Sequence, residues 1–243
     1  MSVRGEVSHK AGAEGARRRL ELSYLGTHFE GWQAQDVVRT GTGPPRTVQL
    51  VVEEALSKMH GSRVRVHAAS RTDAGVHAEG QVAHFDVPPG GPLVPREGLR
   101  RGLNALLPWD VRVEDAAEVP FAWHARFDAL GKRYVYRLRR ADHLPPFEGL
   151  REALASPRLD VRAMRAAAAR LVGRNDFASF GLAGAPRRTT VRTLARLDVG
   201  ELGPLVVVTA VGDGFLRGMV RRLVGTLVEA GLGRTDPGEA FRR

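Results

Sequence analysis

The chain has no cysteine in its 243 residues, which excludes disulfides, thiolate nucleophiles and cysteine-ligated zinc or iron–sulfur sites. Long apolar runs are missing too. Stretches such as Pro204 to Val211 are too short to cross a bilayer, and Met1 to Arg19 has no apolar core of the kind a secretion signal needs. A soluble, unexported, cytoplasmic protein is expected. Lysine is scarce: only Lys10, Lys58 and Lys132 among the 37 basic residues are lysines.

Positive charge, by contrast, is abundant. The formal net charge is +10, and the arginines recur along the whole chain, which favours a broad anionic partner. The planar guanidinium suits bidentate phosphate contacts and stacking on bases; a GC-rich genome favours arginine equally well. The length admits one large core or two small ones.

Residues 1–16 mix Gly, Ala, Ser and both charge signs without an apolar period, so a mobile leader is expected there. Periodicity then predicts a strand at Leu20 to Leu25, a helix at Thr47 to Met59, strands at Arg63 to Ala68 and Gln81 to Val87, a helix at Pro95 to Leu106 and a strand at Val111 to Val119. The rhythm returns with strand Lys132 to Arg139, helix Val161 to Val172, strands Val191 to Val199 and Leu205 to Val211, and helix Phe215 to Ala230. Two related α+β halves are expected, 17–120 and 121–243. One continuous sheet is the alternative.

The loop Ser70-Arg71-Thr72-Asp73-Ala74-Gly75-Val76-His77-Ala78 sets a carboxylate between two strands, and Gly75 can take a positive φ to turn the chain. Taken alone, an Asp two residues before Gly is usually only a turn. His77, with His67 and His84, suggests a metal cluster, although scattered histidines at strand ends are more often structural. Tyr134, Tyr136 and Leu138 share one strand face, the normal signature of core. On a helical wheel with Met219 at zero, apolar residues fill the arc to about 180°, Arg221 lies near 200° and Arg222 near 300°. Arg221 is therefore expected to border the buried stripe, and Arg222 to face water.

As a nine-residue string, the Asp73 loop closely resembles the catalytic loop of the tRNA pseudouridine synthase A family. Other segments agree in order: Tyr24-Leu25-Gly26-Thr27 with Gly31-Trp32-Gln33-Ala34-Gln35, His124-Ala125-Arg126-Phe127-Asp128-Ala129, Lys132-Arg133-Tyr134-Val135-Tyr136, Asp176-Phe177-Ala178-Ser179-Phe180, and the run from Phe215 to Gly225. The resemblance implies an α+β pseudouridine synthase fold, with two sheet-plus-helix (ferredoxin/RRM-like) halves around a central RNA-binding cleft. It also implies a homodimer, no cofactor, no metal, and isomerisation of uridines at positions 38–40 of the tRNA anticodon stem-loop. The family's nucleophilic aspartate falls on Asp73, the arginine that turns out the target base on Arg71, its active-site tyrosine on Tyr134, and the arginine paired with the nucleophile on Arg221.

The chemistry suits those residue types. Uridine-to-pseudouridine conversion breaks a C–N glycosidic bond, rotates the base and rejoins it through carbon without net redox change. A carboxylate can carry the covalent intermediate, and an arginine can hold its charge.

Two features depart from the family pattern: Ser70 stands where Gly is usual, and the sequence stops at Arg243, where the family usually continues through another helix and a closing strand. A shortened last half is therefore expected. The competing classes are a non-catalytic basic RNA-binding protein, and a metal-dependent nuclease using Asp73, His77 and His84.

Overall fold

The computed structural model of the protein describes residues 16–34, 45–182 and 189–235. The expected leader, apart from Ala16, lies outside the described residues, as do Gln35 and the chain end around Phe241. The chain divides into two compact units between Ala129 and Leu130.

In the first unit, strand β1 (Arg17–Tyr24) alternates strictly between half-buried and buried side chains, with Leu20, Leu22 and Tyr24 inward. It begins three residues before the expected strand because its charged start is paired across the sheet. Arg17 Nε lies 2.6 Å from Asp86, Arg18 Nη1 2.9 Å from Glu118 and Arg19 Nη2 2.6 Å from Asp115. Strand propensity read locally does not see such partners.

Helix α1 (Val48–His60) is capped by Thr47, whose hydroxyl accepts from Leu50 N, and is stopped by Gly61 at φ 66°. Strands β2 (Val66–Ala68) and β3 (Ala78–Asp86) follow, then helix α2 (Arg96–Leu106) and strand β4 (Val111–Val119). The sheet order is β2-β3-β1-β4, antiparallel throughout. That order is the ferredoxin-like one. Leu99 and Leu103 of α2 and Val52 and Leu56 of α1 close the core over Leu20, Leu22 and Phe85.

The second unit repeats the plan. Strand β5 (Lys132–Arg140) is followed by short β6 (Ala153–Ala155), helix α3 (Val161–Leu171), short β7 (Gly173–Asp176), the hairpin β8 (Val191–Leu202) and β9 (Leu205–Gly212), and helix α4 (Met219–Gly231). Its sheet order is β6-β5-β9-β8-β7, so β5, β8 and β9 pair as β1, β2 and β3 do. The edge beside β5, equivalent to that held by β4, carries β6 in parallel. Helices α3 and α4 pack Met164, Leu171, Leu223 and Leu227 on Val206, Val208 and Leu197. Both halves therefore have the α+β, ferredoxin-like architecture.

On the helix-free face of the first sheet, His84 of β3 stacks on His67 of β2 with ring centroids 5.1 Å apart, and meets His124 at 4.5 Å. His84 is 1% exposed, and its Nδ1 accepts from Ala125 N at 3.2 Å. Burial first, then the Arg17 guanidinium and the neighbouring imidazoles, opposed by Asp86, push its pKa down to about 4. His124 is lowered as well, chiefly by burial.

The unfolded state then binds a proton at His84 near pH 6.5 that the folded state refuses until about pH 4. Stability is full above pH 6.5 and falls through the window down to pH 4. The expected loss from His84 at pH 5 is on the order of 2 kcal/mol. Urea midpoints measured from pH 7.5 to 5 should fall, and His84→Gln, which keeps an acceptor without titrating, should flatten the fall; an identical slope in the variant would refute the assignment.

Candidate active site

The loop carrying Asp73 joins β2 to β3 at the sheet end where Ala78 pairs with Tyr24 and Tyr24 pairs with Val111. Three bonds to its backbone and one to a side chain hold it. Trp32 N donates to Thr72 O at 3.0 Å and Gly75 N to Phe29 O at 3.3 Å. Gln81 Nε2 donates to Ser70 O at 2.8 Å, and the Tyr24 and Thr72 hydroxyls lie 2.9 Å apart. Thr72 is thereby turned inward. Arg71 and Asp73, one residue to either side of it, are exposed, as alternation in an extended segment requires.

A turn closes the loop, with Val76 N donating to Asp73 O at 3.2 Å and Gly75 at φ 77°. A residue with φ > 0 near the third position of such a turn favours glycine. Two further glycines are set by close approach. A Cβ on Gly26 would sit 2.1 Å from Val76 O, and one on Gly31, itself at φ 96°, would sit 2.7 Å from Thr72 O. The Tyr24–Thr27 and Gly31–Gln33 segments thus form the bed on which the loop lies. Sequence reading matched those segments but gave them no role.

His77 belongs to this bed. Its Nδ1 accepts from Gly26 N at 3.0 Å, an anchoring contact, while His67 and His84 stack together with His124. Among the described residues, no group of three or more histidine, aspartate or glutamate side chains is placed to hold a metal ion.

In the second unit, Tyr134 is half-buried near the start of β5, opposite Ala210 of β9, and its ring meets Phe215 edge-on at 5.0 Å. Tyr136, two residues on, packs against the core. Helix α4 starts at Met219, four residues later than periodicity predicts, because the chain first makes a turn from Leu216 to Met219, closed by Met219 N donating to Leu216 O at 3.0 Å with Gly218 at φ 74°. Arg221 falls in the first turn of α4 and is exposed.

Arg222 departs from expectation. Although exposed, it does not simply point to water: Nη1 donates to Ser179 O and Gly181 O, both at 3.0 Å. The buried residues Met219, Leu223, Val224, Leu227 and Ala230 span about 0° to 140° on the wheel, centred near 70°. Both arginines therefore lie about 130° from that centre, one on each flank. The wheel could not rank them. Among the described residues, Arg222 is committed to two carbonyls and Arg221 to no side-chain partner.

A ferredoxin-like sheet presenting a carboxylate and an arginine on a braced loop, in a strongly basic chain, defines a candidate enzyme for an anionic polymer. Comparison with known proteins gives the family. The sequence matches a family model described as tRNA pseudouridine synthase over residues 22–128 and 167–240. It is 43% identical over 224 residues to tRNA pseudouridine synthase A of Geobacter sp. (strain M21), covering 92% of this chain and 87% of that one. The identity is 45% over 221 residues with tRNA pseudouridine synthase A of Syntrophotalea carbinolica, covering 91% and 84%, and 44% over 219 residues with that of Myxococcus xanthus, covering 90% and 79%. The chain belongs to the tRNA pseudouridine synthase family, isomerases that convert uridine to pseudouridine in tRNA. No helix of the described residues is long and apolar enough to cross a membrane.

Proposed function

We propose that this chain isomerises uridine to pseudouridine at positions 38–40 of the tRNA anticodon stem-loop, with Asp73 as covalent nucleophile. The observation that carries this reading is the braced loop: backbone and side-chain bonds hold Ser70, Thr72 and Gly75 around Asp73, which is itself exposed. Such preorganisation is what positioning a nucleophile requires. Breaking the bond from C1′ to N1 and forming one from C1′ to C5 moves a proton from C5 to N1 and leaves the redox state unchanged. The reaction therefore calls for no cofactor.

Arg71, exposed beside Asp73, takes the space of a base turned out of the stem. Tyr134 offers a ring to stack on the flipped uracil and a hydroxyl for proton transfer. Arg221 supplies positive charge to the reacting centre. The working form is a homodimer in the cytoplasm, binding tRNA through phosphates.

The test is nearest-neighbour analysis of uridine-labelled tRNA transcript incubated with the protein and a chelator. Pseudouridine in an uncut transcript is expected, confined to positions 38–40. Cleavage without the chelator that vanishes with it would favour a nuclease, and binding without product a non-catalytic module. The +10 charge further predicts that the dissociation constant rises steeply between 50 and 200 mM salt, roughly ten-fold or more for several neutralised phosphates. A salt-independent constant would remove the electrostatic account.

A further inference from the structure

Trp109 is 68% exposed, an unusual state for the largest apolar side chain, and it stands at the sheet end that carries the Asp73 loop. It is the second residue of a turn, Pro108 to Val111, closed by Val111 N donating to Pro108 O at 3.1 Å. Tyr24, which braces the Asp73 loop through Thr72, pairs directly with Val111.

That turn is held rigid on both flanks. Arg112 Nη1 donates to Pro108 O at 2.8 Å and Val111 O at 2.7 Å. Arg46 grips Asp110, which is 4% exposed, through two bonds of 2.9 Å, and Leu25 N donates to Asp110 O at 3.0 Å. The Arg46 guanidinium also lies 3.9 Å over the Phe29 ring, and the Phe29 carbonyl accepts from Gly75 of the Asp73 loop. A continuous set of contacts thus links the Trp109 turn to the loop. Among the described residues the indole itself has no ring or cation partner.

A rigid turn, braced by two arginines and presenting an unpartnered indole in a chain of charge +10, has the composition of a stacking platform for nucleic acid. Water is a poor neighbour for an indole face; an unstacked base or a ribose is a good one. We infer that Trp109 is a substrate-positioning residue that stacks on the bound tRNA beside the target stem-loop. The inference rests on the tRNA-isomerase reading above and adds a contact to it. Because Trp109 touches RNA and not the reacting atoms, it acts on affinity and placement, leaving the chemical step alone.

The test uses the full chain and an unmodified tRNA transcript. Trp109→Ala should raise the dissociation constant and KM about ten-fold or more, while the single-turnover rate at saturating enzyme stays within about two-fold of wild type. Trp109→Phe, which keeps a stacking face, should recover most of the affinity. Of the three tryptophans, Trp32 is 2% exposed and Trp123 is half-buried. Iodide quenching in the free protein should therefore come mainly from Trp109, and tRNA should abolish it. Unchanged affinity in Trp109→Ala, or iodide access unaltered by tRNA, would overturn the inference. So would an affinity loss that appears only with a change in oligomeric state, since the indole would then contact a second copy of the chain. If wild type binds tRNA but makes no pseudouridine, the reading of the reaction fails while the Trp109 affinity result stands by itself.

Discussion

Asp73→Asn and Asp73→Ala are expected to reduce pseudouridine formation below a few per cent of wild type while leaving tRNA affinity and thermal stability almost unchanged. The reason lies in how the loop is built. Thr72, Gly75, Ser70 and His77 bond to Trp32, Phe29, Gln81, Tyr24 and Gly26, and these anchors stay in place when the exposed side chain at 73 is exchanged. Affinity comes from phosphate contacts, to which a carboxylate adds nothing favourable. Isosteric Asn keeps the shape but removes the anionic oxygen that the proposed attack requires. Product measured at saturating enzyme is the deciding quantity. Turnover above a few per cent in Asp73→Ala would remove this residue as nucleophile; a lowered melting temperature would instead show that the loop depends on it.

Arg221→Ala should lower the single-turnover rate at saturating enzyme by about a hundred-fold or more, corresponding to roughly 3 kcal/mol or more in the chemical step. Arg222→Ala should stay within a few-fold by the same measurement. Its cost should appear in stability, about 1 to 3 kcal/mol, because the Ser179 and Gly181 carbonyls lose their donor. The two substitutions are thus separated by type of readout as well as size. Arg221 is free to act on the reaction because no side chain among the described residues engages it, whereas Arg222 is already bound to the segment that precedes β8. Equal rate losses, or a larger loss in Arg222→Ala, would show that the assignment of Arg221 is wrong.

Much of this architecture is legible in the chain itself. Apolar alternation at Leu20, Leu22 and Tyr24, the helical spacing through Val48, Val52 and Ala55, and the strand pattern of Leu205 to Val211 are local signals, each written within a dozen residues. The Asp73 loop was visible too, as a string resembling a known family, and Gly75 has the positive φ its position suggested. Strands β6 and β7 were not visible. Three or four residues carry no period, and they are strands only because β5 and β8 pair with them.

Sequence therefore determined the type and order of the main elements, the two α+β halves and the identity of the candidate nucleophile, because backbone periodicity and a contiguous motif are short-range properties. Tertiary structure decided what braces the Asp73 loop: Tyr24 reaches Thr72 across 48 positions and His77 reaches Gly26 across 51. It also decided that Arg222 is a clamp and Arg221 is not, and that Trp109 stands out from a turn held by Arg46 and Arg112. A hydrogen bond between residues far apart in the chain leaves no periodic trace, and two arginines equally far from the centre of a buried stripe look alike until the carbonyls around them are in place.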